Sequence, residues 1–421
     1  MQQAAAEAHS VSAMEEWRRS PMLPIAGLIG HATAVFHLNG FAPFIIPVSE
    51  SFGWSRTFTT FGLSIVLMIQ AACAVPMGML VDRIGSRRIG LVGLLSVPLA
   101  FGMVGLATTG DKPNWIILWL IMGLAALPAQ STIWTNAVSS RFHASRGMAL
   151  GVSMCGTSVA IAILPWLGAV LNEQYGWHRA MMYEALIWIL ISYPFMFLFF
   201  WGAADQRGKK SAHRLESAES APPQDGMTLR QGLRSPVYLR LIFTGVLYTL
   251  VVPAMTINFM AIQIGGGIDP IKAGGIAALV GIAAVTGRLL TGFLVDRFNG
   301  ARIGAVAFLL PPIACMILLL RGVDAGSATV AGILIGLAYG AELDVFAYLT
   351  TRYFGLRNFG SLFGGILFSL SLGAGLGPVL ASHIFDTFGN YTGFMWLTVL
   401  VALMCSACFM SLPKPGLLET E

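Results

Sequence analysis

The chain has 421 residues, 56% of them apolar and only 11% charged, with a formal net charge of +5. A soluble domain carries about 25% charge, so this composition excludes one and points to a lipid bilayer. In chain order, residues 1–22 form a polar stretch holding Glu15, Glu16, Arg18 and Arg19. It lacks the apolar run of a secretory signal, so the first span is expected to stay in the mature protein. Apolar stretches then follow at 23–47, 57–80, 89–109, 114–138, 146–171 and 179–202, and again at 238–262, 271–295, 302–321, 326–350, 359–385 and 389–411. Each is close to the roughly 17–25 residues that cross hydrocarbon as a helix.

Residues 203–237 separate the two sets of six. They hold Arg207, Lys209, Lys210, Arg214, Glu216, Glu219 and a Pro222-Pro223 pair, the composition of a flexible linker. A short tail, 412–421, closes the chain. Alternating barrel-type patterning is absent, so the expected fold is an all-α membrane protein with twelve transmembrane helices. Its N-terminal bundle would span 23–202 and its C-terminal bundle 238–411.

Charge placement gives the orientation. With twelve spans, Arg56, Lys112, Arg179, Lys272 and Arg321 fall on one side, and Arg288 lies inside a span. Every other Lys and Arg falls on the side of the two termini. That asymmetry puts the termini and linker in the cytoplasm, so the positive net charge reflects topology and implies no nucleic-acid partner. In a bacterial cell this corresponds to the inner membrane. Cys73, Cys155, Cys315, Cys405 and Cys408 all fall in apolar helices. Cys405 and Cys408 have metal-like spacing but no histidine or charged neighbour, so they read as small helix residues and no metal is expected.

A charged loop occurs twice. Gly78-Met-Leu80-Val-Asp82-Arg83-Ile-Gly85-Ser-Arg87-Arg88 follows the second span, and Gly292-Phe-Leu294-Val-Asp296-Arg297-Phe-Asn299-Gly-Ala-Arg302 follows the eighth. A glycine-spaced charged loop repeated at half-chain separation marks an internally duplicated membrane protein, a common build for secondary transporters. The glycines permit close helix approach, and the aspartates suit the positive end of a neighbouring helix. The arginines can pair with nearby acids.

The pattern resembles the loop signature of the major facilitator superfamily. The resemblance implies that Gly78, Asp82, Arg83, Arg87, Arg88, Gly292, Asp296, Arg297 and Arg302 form a cytoplasmic latch joining the halves in the outward-facing state. Asn299 stands where the second copy would carry the motif's other glycine.

Arg288 is the most informative single residue. A cation in hydrocarbon costs from ~2.5 to more than 10 kcal/mol, so such residues usually face a water-filled path. It lies about eight residues before Asp296, roughly 12 Å from the helix end, too deep for easy snorkelling. Its guanidinium fork matches a carboxylate.

Gly287-Arg288-Leu-Leu-Thr-Gly292 resembles the Gly-Arg segment of monocarboxylate transporters and of bacterial oxalate–formate antiporters, in which this arginine binds substrate carboxylate. Phe52-Gly53-Trp54-Ser55-Arg56 and Arg141-Phe142-His143-Ala-Ser-Arg146-Gly147-Met-Ala-Leu-Gly151 match further segments of that group. Arg352-Tyr353-Phe354-Gly355 with Phe359-Gly360 is the C-terminal counterpart. Two positions depart from it. Ala284 replaces the aspartate that animal members carry one turn before the arginine, and Ser371 aligns with the antiporter's second carboxylate ligand, a lysine. One arginine without that lysine suits a monoanion.

The proton carrier must then lie elsewhere, and the candidates are Glu342, Asp344 and His31. Glu342 and Asp344 are two residues apart, so they point about 200° apart and cannot share one cavity. Gly332, Gly336 and Gly340 form a small-residue stripe leading to Asp344, a face suited to packing on another helix. His37 and Asn39 add a polar edge to the first span, and Asn39 aligns with a substrate-side lysine of animal homologues. Gln130, Trp134, Tyr248, Asn258, Phe368 and Ser371 complete the expected substrate surface, and Asn136 is a further polar residue of the fourth span. Glu184 is expected near the membrane interface.

Phosphate-cradling and hydrolase signatures are absent from the sequence, so neither an enzyme nor a cofactor is expected. The expectation is a proton-coupled secondary carrier of a small organic monocarboxylate that works by alternating access. Exchange of organic anions and a non-transporting carboxylate receptor are the rivals.

Overall fold

The computed structural model describes residues 13–142, 144–202, 226–295, 297–355 and 357–413. Among them the fold is all helical. The first half contains α1 (Ala13–Arg19), α2 (Leu23–Ala34), α3 (Phe36–Phe41), α4 (Ile45–Phe52), α5 (Arg56–Ala72) and α6 (Ala74–Ile84). It continues with α7 (Ser86–Ala107), α8 (Lys112–Ala126), α9 (Ser131–Ser139), α10 (Arg146–Met154) and α11 (Gly156–Phe199). The second half contains α12 (Leu229–Arg234), α13 (Pro236–Gly265), α14 (Pro270–Val295) and α15 (Gly300–Ala307), then α16 (Leu310–Arg321), α17 (Ala325–Phe354), α18 (Phe359–Phe388) and α19 (Thr392–Met410).

Every expected span is helical. By length and apolarity, nine helical runs among the described residues can cross a membrane, or ten when the bent pair Leu23–Ala34 and Phe36–Phe52 counts as one. One run, Arg146–Phe199, contains two expected spans. The chain reverses within it at Gly176, whose φ of 71° is a left-handed value that favours glycine.

Buried side chains form two apolar cores. One is built almost wholly from residues before 202, the other from residues after 236, with Ile161, Ala169 and Ile257 crossing over. Many long apolar side chains on the outer faces, such as Leu190, Ile191 and Leu320, are exposed, as suits contact with lipid.

Each half also carries a short helix before its first long one, clipped to the connection between its fourth and fifth spans. The Glu16 carboxylate accepts from Ala144 N at 2.9 Å and Ser145 N at 3.0 Å, while Trp17 meets Phe142 edge-on. In the second half, Met227 N donates to Phe354 O at 3.0 Å and Asn358 Nδ2 to Met227 O at 2.9 Å. The linker expected over 203–237 is therefore shorter. Residues 203–225 lie outside the described residues, and α12 with its Thr228–Gln231 capping box already occupies the rest.

The halves touch along α5 against α18 and α11 against α14. At the end distant from the termini they are tied together, with Arg56 and Thr57 bonded to Asp386, and Thr60 to Ser382. Gly274 and Gly281 of α14 pack directly on α11, where a Cβ would meet Pro165, Trp166, Ser158 and Ala162. Towards the terminal end the halves diverge. Gly78, Gly147, Gly151, Gly292 and Gly364 all face open space there. The contacts between the halves thus concentrate towards the distal end, with open space beside these glycines at the terminal end.

Candidate functional site: a buried arginine facing Asp344

The small-residue stripe builds the site. A Cβ at Gly336 would collide with Val280 O, one at Gly340 with Ala284 O and Arg288 N, and one at Gly287 with Leu337 O. Only glycine lets α17 and α14 approach this closely. Asp344 follows one turn after Gly340, so the same contact delivers its carboxylate to Arg288, with Nη1–Oδ1 at 3.5 Å. Arg288 is buried, whereas the Asp344 side chain is 27% exposed. The ion pair lacks hydrogen-bond geometry. Among the described residues Arg288 Nε and Nη1 have no hydrogen-bond acceptor, an arrangement costly to bury unless a further anion completes it.

The opposite half contributes His31 on α2. Its Nδ1 contacts Gly27 O at 2.9 Å and Ser153 Oγ of α10 at 3.1 Å, and the Arg288 charge reaches both His31 and Cys155. His31 Nε2 is buried without a partner among the described residues. Asn39 lies in a narrow cleft between the halves with Ala42, Ile161, Pro165, Thr256, Met260, Ala277 and Val280. Its Nδ2 donates to Val35 O at 3.1 Å, at the break between α2 and α3.

The other expected substrate residues are spread through the fold. Phe368 is exposed, and Ser371 is half-buried with its hydroxyl donating to Leu367 O at 2.9 Å. Gln130 Nε2 donates to Gln70 O at 3.0 Å, joining the breaks after α5 and α8. Trp134 is packed against Gly30 and Gly90, and its Nε1 donates to Ala129 O at 2.8 Å. Both side chains are thereby committed within the first half. Tyr248 is buried and stacks on Phe308 at 4.0 Å, with the Glu342 charge nearby. Asn258 accepts from Tyr391 at 3.2 Å, towards the distal end. His37 is wholly buried with neither ring nitrogen paired among the described residues. Glu342 is buried among Tyr248 and Tyr339 and points away from the Asp344 side of α17, as the two-residue spacing requires.

The latch residues are apart in this state. Gly78 and Gly292 touch nothing across the mouth. Asp296 and the Asp82 side chain lie outside the described residues. Arg83 and Arg88 are exposed, as are Arg297, which lies over Phe293 at 3.9 Å, and Arg302. Arg87 does something else. It is buried, donates to Phe197 O and Phe200 O, and covers Trp201 at 3.4 Å, so it caps the end of α11 in its own half. The Gly85/Asn299 difference also has a cause. Gly85 has φ 93°, while Asn299 is extended and caps α15 by accepting from Ala301 N and Arg302 N at 3.0 and 3.3 Å.

Glu184 is a correction. Its charge suggested the interface, but it is fully buried, both oxygens unpaired among the described residues, in a space left by Gly40 and Gly168. Glu184→Gln is expected to retain thermal stability and Glu184→Lys to lose it, read by melting of the purified protein. An unpartnered buried charge costs several kcal/mol, and the neutral isostere avoids that cost.

A sequence profile of the Major Facilitator Superfamily matches residues 27–355. The chain belongs to the Major Facilitator Superfamily. It is a multi-pass integral membrane protein. The chain is 28% identical over 233 residues to the 3-(3-hydroxy-phenyl)propionate transporter of Escherichia coli strain K12, a match spanning 53% of this chain and 52% of that one. It is 25% identical over 325 residues to the MFS transporter asaE of Aspergillus flavus, spanning 75% of this chain and 68% of the relative. Among solved structures, a bacterial homolog of the human lysosomal transporter Spinster superposes with a TM-score of 0.70 at 14% identity. That superposition covers 93% of this chain and 96% of the other, and shows the shared superfamily fold.

Proposed function

We propose that this superfamily member is a secondary carrier of small organic monocarboxylates, driven by protons, that works by alternating access. The reading rests on one observation: among the described residues, buried Arg288 has no hydrogen-bond acceptor at Nε or Nη1, and Nη1 faces Asp344 at 3.5 Å. Donors left without acceptors on a buried guanidinium suit the oxygens of a substrate carboxylate. Substrate carboxylate entering the pair displaces Asp344, and Asp344 takes up a proton as it leaves the cation. The site then holds one cation and one anion, the same net charge as when empty, and the two halves rock around it. Asp344 fills the role that Ala284 leaves vacant one turn before Arg288. The substrate for which the Escherichia coli relative is named, a hydroxyphenylpropionate, is itself a monocarboxylate and supports the class. Both termini lie in the cytoplasm in this reading, in the inner membrane of a bacterium.

Uptake by proteoliposomes of labelled 3-(3-hydroxyphenyl)propionate, benzoate, lactate and oxalate tests it. A monocarboxylate should accumulate when the outside is made acidic. An exchanger would instead require internal anion, and a receptor would show no flux. In Asp344→Asn, the pH gradient should no longer stimulate uptake while exchange of labelled for unlabelled acid persists. Full gradient stimulation in that variant would remove Asp344 as the proton carrier.

A further inference from the structure

The distal closure is more than a packing contact. Helix α5 starts at Arg56, and its first free N–H groups point to the distal end, where they need acceptors. Asp386, from the last turn of α18 in the other half, supplies them. Arg56 N donates to Asp386 Oδ1 at 2.9 Å and Thr57 N to Oδ2 at 2.8 Å, while Thr57 Oγ1 donates to Oδ2 as well. A carboxylate set on a helix N-terminus also meets the positive end of its dipole. The Arg56 guanidinium crosses in the same direction. It lies 3.5 Å from the Phe385 ring centroid, and Nη1 donates to Tyr391 OH at 3.1 Å, which in turn donates to Asn258 Oδ1 at 3.2 Å. Beneath them Thr60 donates to Ser382 and Ser64 to Gly375 O.

We propose that Asp386 and Arg56 are functional residues of the transport cycle, forming a polar lock whose release opens the cavity at the distal end. This rests on the alternating-access reading above. The lock and the first copy of the duplicated loop lie towards opposite ends of α5 and α6. Asp386 holds the start of α5 to the end of α18, and α5 runs on through α6 to Gly78 and Asp82 at the other end. Gly78 on α6 and Gly364 on α18 both face open space while the distal ends are tied. With α5 bonded to α18 from Asp386 to Gly375, the terminal ends of the two helices stand apart, and in this proposal closing them requires the lock to release. Asp386 is exposed and Arg56 and Thr57 are half-buried, so water can replace these partners on opening. The lock is therefore reversible, as a gate requires.

Hydrogen–deuterium exchange of the full-length protein in detergent or nanodiscs tests this without labels. In Asp386→Asn, amides of residues 56–64 and 380–388 should exchange at least about threefold faster, because their opening free energy falls. Segments at the terminal mouth, 146–154 and 289–295, should exchange more slowly in the same sample, as the population shifts to a state closed there. Asp386→Glu should restore much of the wild-type pattern. Faster exchange at 56–64 with an unchanged terminal mouth would mean local fraying of α5 and would overturn the proposal. Arg56→Gln gives a second reading that spares the carboxylate cap, and it too should protect the mouth. Carboxylate uptake separates the two claims. The reciprocal shift in protein that moves no carboxylate supports the lock and removes the substrate reading, whereas uptake without the shift removes the lock.

Discussion

Arg288→Lys should lower uptake of the preferred acid at least about tenfold while the protein still folds and inserts. Lysine keeps the positive charge, so a purely electrostatic role would survive in good part. The forked grip would not, because an ammonium is a point charge without paired parallel donors. Losing one charge-assisted hydrogen bond in a dry site costs roughly 1.5–3 kcal/mol, about ten- to a hundredfold in affinity. The loss should appear in binding, measured by ligand-induced thermal stabilisation, as well as in flux. Arg288→Ala should abolish both and leave Asp344 without its cation. Wild-type uptake by well-expressed Arg288→Lys would remove the forked grip, and wild-type uptake by Arg288→Ala would take Arg288 out of the substrate site altogether.

Gly340→Val is expected to do as much damage to transport as Arg288→Ala, although it removes no polar group. A Cβ at Gly340 would press into Ala284 O and Arg288 N, both backbone atoms that cannot rotate away. The helices α14 and α17 must then separate, which costs about 1–3 kcal/mol or more in overpacking. It also pulls Asp344 away from Arg288. Gly275→Ala on the same α14 is the control, since nothing lies within contact there, and it should melt and transport like the wild type. Equal behaviour of the two variants would show that close packing does not build the site.

The sequence by itself determined much of the architecture. Low charge, repeated apolar stretches and the doubled Gly-Asp-Arg loop each state a local fact, and all point to two helical bundles in a bilayer. Arg288 was legible for the same reason, since a cation deep in an apolar span is costly wherever its neighbours lie. The glycine stripe announced a helix contact, although its partner, α14, was not readable.

Partnership across the chain was decided only by the tertiary structure. Glu342 and Asp344 are equivalent acids in sequence, and the face that packs on α14 chose Asp344 for the cation. Polarity marked Gln130, Trp134 and Asn258 as substrate-facing, yet their hydrogen bonds run to Gln70, Ala129 and Tyr391. A polar side chain in a span needs a partner, and composition does not say whether that partner is a ligand or the protein's own backbone. Arg56 stood out only as a basic residue on the side away from the termini and in the Phe52–Arg56 segment, and nothing in the sequence marked Asp386. They lie in opposite halves, and no periodicity relates them, so only the docking of α5 on α18 brings one to the other.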